Sequence, residues 1–109
     1  MTFRDYKFSK HLTVDRQTRF EAMESIIGFG TIVQEMIDPR DNRLLLFSNT
    51  GLVAIVGNDN QTIVTMFVIK YQKAKALFKG AIPKNIYHAI QYNRISLTDV
   101  EKIKLGLDR

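Results

Sequence analysis

The chain has 109 residues, 45% of them apolar and 25% charged, which is long enough to bury one core without metal or disulfide staples. It contains no cysteine, which excludes a disulfide framework, a thiolate nucleophile and a cysteine zinc site, and suits a reducing compartment. The formal net charge is +5, and it is unevenly spread.

Residues 1–10 are largely polar and hold no apolar stretch of the kind a secretory signal needs, and the longest apolar run is far too short to span a bilayer. The expectation is a cytoplasmic protein with no membrane partner. A short strand-like run ends at His11. Thr13 can then cap a helix whose first turn includes Asp15, and Phe20, Met23, Ile26 and Ile27 recur at helical spacing until Gly28 and Gly30 stop it.

A meander follows. Its first strand covers 31–37 and reverses at Asp38, Pro39, Arg40 and Asp41, where proline presets φ and the aspartates can accept from nearby backbone amides. Strands at 43–47, 52–56 and 62–69 come next, separated by short polar connections that make neighbours antiparallel. The last strand is apolar on both sides, with Ile63, Phe67 and Ile69 on one and Val64, Met66 and Val68 on the other, so it reads as central and covered on both faces. Strict alternation places Thr65 on the Ile63 and Phe67 side.

Beyond the sheet, 71–79 reads as a helix ended by Gly80, and Pro83 is placed to open another running to about Tyr92. Thr98 and Glu101 have capping-box spacing for a final short helix. The expected fold class is therefore α+β: an N-terminal helix packed on an antiparallel four-stranded meander, followed by C-terminal helices. No repeat or linker divides the chain, so 1–109 reads as a single domain, with 71–109 a helical extension.

Residues 70–94 hold Lys70, Lys73, Lys75, Lys79, Lys84 and Arg94 without one acid, while the segment 20–69 is acidic. The basic tract is interleaved with Tyr71, Phe78, Tyr87 and Tyr92, a pattern that suits a polyanion whose bases stack on rings. The competing reading is that these lysines are the solvated faces of two helices and the aromatics are core.

Candidate chemistry centres on His11, Arg16, Arg19 and Thr65. A histidine with an ordinary pKa of about 6.5 can move protons near neutrality, guanidiniums can clamp a phosphate bidentately, and a strand hydroxyl can bond it. Such groups suffice for metal-free RNA cleavage, in which a base removes the 2′-hydroxyl proton and fixed cations hold charge on phosphorus. Against this, His11 also fits a strand-end residue bonded to a local carbonyl, the arginines fit an exposed helix surface, and threonine is favoured in strands for packing alone. His88 lies in the basic tract, and the two histidines lack the companion carboxylates of a metal site. Asp38, Asp41 and Asp59 sit in turn contexts that local bonding explains. No phosphate-cradling glycine loop, nucleophile elbow or helical zinc motif occurs.

The order of strand, His11, helix with Arg16 and Arg19, Gly28, then a meander ending in Ile63, Val64, Thr65, Met66 and Phe67 resembles the barnase/EndoU/colicin/RelE-like nucleases, including toxin-like and phage-borne members. The likeness covers roughly residues 5–70. It implies a metal-independent ribonuclease needing no cofactor, with its groove across an exposed sheet face. It assigns His11 as acid or base, Arg16 or Arg19 as the phosphate-binding cation and Thr65 as the strand hydroxyl. The chain departs from the pattern in having no second histidine nearby and in its C-terminal helices.

Two classes of function remain open at this point. One is an RNA-directed protein, a metal-independent ribonuclease of toxin or phage type. The other is a non-catalytic nucleic-acid- or protein-binding module, or a homo-oligomeric structural protein, on the same scaffold. A protein inhibitor is a further partner consistent with the first.

Overall fold

A computed structural model describes residues 1–107; residues 108 and 109 of the expected helical extension lie outside the described residues. The chain forms a five-stranded mixed sheet in the order β1-β5-β4-β3-β2, from β1 (Lys7–Phe8), β2 (Ile32–Asp38), β3 (Arg43–Ser48), β4 (Leu52–Val56) and β5 (Thr62–Val68). The α+β class and the antiparallel run from β2 to β5 are as the sequence implies. The expected four-strand layout is corrected by β1, which pairs in parallel with Thr62 and Ile63 at the start of β5. The strand-like run before His11 is this strand, but two residues are too few to display an alternating pattern and so give no sign of its pairing.

Helices cover both faces. The N-terminal helix is a succession of a π-helical turn at His11–Asp15, the α-helix α1 at Gln17–Ala22 and a second π-helical turn at Met23–Ile27. Both π turns close with five-residue hydrogen bonds, from the Arg16 amide to the His11 carbonyl and from the Gly28 amide to the Met23 carbonyl. Helices α2 (Tyr71–Leu77), α3 (Lys84–Ser96) and α4 (Asp99–Lys104) follow the sheet. Pro83 does stand immediately before α3, and the reciprocal capping box of Thr98 and Glu101 opens α4.

Leu12, Ala22 and Met23 from the N-terminal helix pack with Phe3, Phe29 and Leu105 on Leu46, Ala54 and Met66 of the sheet. On the opposite face Ala74 and Leu77 of α2 and Ile86 and Ile90 of α3 cover Leu45, Phe47 and Val53. An exposed sheet face for a catalytic groove, implied by the resemblance, is thus absent over the central strands. Open surface lies instead at the sheet edges, because β1 pairs with only the first two residues of β5.

A bulge corrects the expected alternation of β5. Val56 pairs with Ile63 but Ile55 pairs with Thr65, so Val64 is an extra residue. Ile63 therefore turns to the face of Met66 and Val68, while Phe67 faces the other way with Ile55. Ser9 stabilises this irregularity: its amide donates to the Ile63 carbonyl at 3.0 Å and its hydroxyl to the Val64 carbonyl at 3.0 Å. The same hydroxyl accepts from the Leu12 amide at 3.2 Å, so Ser9, not Thr13, caps the helix start. Thr13 lies within the first turn and its hydroxyl donates to the Ser9 carbonyl.

The turn aspartates are engaged locally. Asp59 accepts from the Gln61 and Thr62 amides and the Thr62 hydroxyl, which together hold its carboxyl below the usual range. Buried Asp38 accepts two side-chain bonds and the backbone amide of Arg40, and these bring its pKa down to about 2. A carboxylate depressed in the folded state stabilises above its unfolded pKa of about 3.9 and loses that contribution as pH falls through about 2. Because Arg40 reaches solvent, the expected contribution is only about 1 kcal/mol. Urea unfolding from pH 5 down to pH 2 should show this loss in the native chain, with a flatter acid limb in Asp38→Asn.

Candidate functional site

The expected catalytic residues are not brought together. His11 opens the π-helical turn rather than ending a strand, and its side chain is 53% exposed, with Nδ1 3.7 Å from an Asp15 carboxylate oxygen. Arg16 is exposed at the junction between the π turn and α1. Thr65 is half-buried on the strand-pairing row of Leu45 and Ile55, the face covered by α2 and α3. The helix carrying His11 packs on the other face through Leu12. The imidazole-bearing helix and the threonine hydroxyl thus lie on opposite sides of the sheet.

Arg19 behaves differently. It is half-buried and reaches the C-terminal end of α4, where Gly106 has φ +76° and a Cβ would lie 2.9 Å from the guanidinium carbon. Gly106 closes a Schellman motif: its own amide donates to the Ile103 carbonyl and the Leu107 amide donates to the Lys102 carbonyl. The glycine both permits the left-handed turn and leaves room for the arginine.

Around this point two cavities adjoin. The first, of about 300 Å³, lies beside the part of β5 that β1 does not reach and is lined by Arg19, Phe67, Lys70, Lys73 and the Leu105–Leu107 turn. The second, of about 350 Å³, lies between β5, the start of α2, α3 and α4, and is lined by Lys70, Tyr71, Arg94, Lys102 and apolar residues. Val68, Lys70 and Leu107 border both. Five cations thus gather at one end of β5, and among the described residues no carboxylate lines either cavity and none forms an ion pair with these five. Lys73 additionally holds its ammonium 5.9 Å from the centre of the Phe67 ring.

The basic tract is therefore divided by the fold. Lys70, Lys73 and Arg94 line the cleft, whereas Lys75, Lys79 and Lys84 do not. Lys75 sits over the Tyr71 ring at 6.0 Å, Lys79 occupies the left-handed position after α2, and Lys84 begins α3. Arg19 and Lys102 complete the group from helices distant in sequence. Lys102 lies outside the basic tract of the sequence, in the last turn of α4, where its charge also complements the helix dipole. His88 lies apart with Asn49, Asn85 and Tyr92 around a third, shallow cavity.

Among the described residues no three His, Asp or Glu side chains gather in a way that could hold a metal ion, and no helix is long and apolar enough to cross a membrane. Comparison of the chain with protein-family models, with curated proteins and with solved structures finds no match.

Proposed function

We propose that the chain is an RNA-binding module that holds phosphates in the cleft formed by Arg19, Lys70, Lys73, Arg94 and Lys102. The observation that carries this reading is the convergence of those five cations, without a lining carboxylate among the described residues, from α1, the end of β5, α2, α3 and α4. Like charges lining one cavity repel one another and gain by sharing an anion. An extended polyanion satisfies them better than a single small one, because the two cavities adjoin and share Lys70. In this reading Arg19 keeps the phosphate-binding role that the nuclease resemblance implies, while Arg16 and Thr65 take no part.

The test is RNA binding measured across a range of salt. A phosphate-dominated site should show log K falling linearly with log salt, with a slope near −0.7 for each phosphate neutralised on a single strand. Salt-insensitive binding, or none, would remove the reading. The separation of His11 from Thr65 favours binding without turnover, so RNA incubated with the protein and a chelator should remain intact. Products ending in cyclic phosphate that disappear in His11→Ala would instead restore the ribonuclease reading.

A further inference from the structure

Resting on that reading, we infer that the second cavity takes one unpaired nucleotide, its base against Tyr71 and its phosphate at the Lys70, Arg94 and Lys102 rim, so that the module selects single-stranded over duplex RNA. Three features of the cavity point this way. Its floor is hydrocarbon, from Val68, Ile69, Ile90 and Leu107, which a phosphate does not use but a planar base does. Its volume of about 350 Å³ falls within the range of small-ligand pockets, roughly 300–1,000 Å³. Tyr71 apart, its polar side chains divide into cations and the carboxamides of Gln72, Gln91 and Asn93; Asn93 is already bonded to the Thr50 carbonyl, and the two glutamines carry the donor and acceptor pairs that a base edge presents.

Tyr71 is the residue that distinguishes this from a plain phosphate patch. It directly follows Lys70, lines the cavity and leaves 40% of its surface to solvent. Tyr87 braces it, with ring centres 6.3 Å apart and planes at 77°. A ring so held, with the Lys75 ammonium 6.0 Å from its centre, is a preformed partner for an unpaired base. A duplex keeps both faces of every base stacked within itself, so it can satisfy the cations but gains nothing from the apolar floor or the tyrosine.

The experiment compares three probes at matched salt: an RNA strand of about twelve nucleotides, the same strand annealed to its complement, and inorganic polyphosphate of similar charge. The chain has four tyrosines and no tryptophan, so intrinsic tyrosine emission reports ring contact directly. The single strand should bind roughly tenfold tighter than the duplex and quench tyrosine emission, whereas polyphosphate should bind without that quenching. Tyr71→Ala should lower single-strand affinity about tenfold, leave polyphosphate affinity and the salt slope unchanged, and abolish the preference over duplex. Tyr71→Phe should keep the preference, and its melting profile separates a stacking defect from loss of fold. Equal affinity for strand and duplex, or a Tyr71→Ala variant that still prefers the strand, would overturn the inference. If Lys70→Ala still reduced the salt slope in that case, the phosphate-binding reading would survive; if no probe bound, both would fall.

Discussion

Reversing Lys70 and Arg94 together to glutamate should weaken RNA binding roughly a hundredfold at about 0.1 M salt and flatten the salt dependence by about two phosphate contacts. The effect is large because Lys70 borders both cavities and Arg94 stands on the rim of the second, so two carboxylates would then face the phosphates among the remaining cations. The matched control is Lys79→Glu with Lys84→Glu, which removes the same amount from the net charge of +5 at positions outside the cleft. That control should lose only a few-fold, through weaker long-range attraction that salt screens. Filter or polarisation titrations at several salt concentrations separate the two. If both pairs lose equally, net charge and not the cleft governs binding.

Phe47→Ala should be the most damaging single truncation for stability, costing about 3–5 kcal/mol. Phe47 is 1% exposed, sits mid-sheet opposite Val53, and packs its ring 5.0 Å from Phe78 at the end of α2. A loss of that size approaches the whole stability of a small domain, typically about 5–15 kcal/mol, so the variant should unfold at much lower denaturant than the native chain. Phe47→Leu should cost about 1–2 kcal/mol, since most of the volume remains. The same change at Tyr92, which is 71% exposed, should move stability by less than about 0.5 kcal/mol. Urea titration of the three variants gives the ordering directly.

How much of this was legible in the chain follows from the range over which each signal acts. Turn chemistry at Asp38 to Asp41, the proline before α3 and the box at Thr98 and Glu101 are local, and each stands in the structure where its residues imply. The bulge at Val64 was not legible, because a run of apolar residues reads alike in either register and only the pairing partner reveals the slip. It decided the orientation of Ile63. The helix start was misplaced by four residues because Ser9 and Thr13 are chemically similar caps, and the choice between them was made by the Val64 carbonyl, far along the sequence. For the candidate site, composition revealed a basic tract but not its division. Which lysines share a cleft depends on the way α1 and α4 meet beside β5, and Arg19 enters only because Gly106 lacks a side chain.

The parallel pairing of β1 has a consequence for the order in which the chain assembles. The Ser9 hydroxyl and the Val64 carbonyl that it binds are 55 residues apart, so this contact closes a loop containing the whole helix and most of the meander. Hairpins between successive strands cost far less entropy and can form earlier. During synthesis the residues around Lys7 emerge well before Thr62 exists, and must wait for the last strand of the sheet to be made. Until they dock, the outer margin of β5 is bare along its full length and able to recruit a strand from another nascent chain. Guarding the first half of that margin is work that two residues and a serine perform only after the whole meander exists.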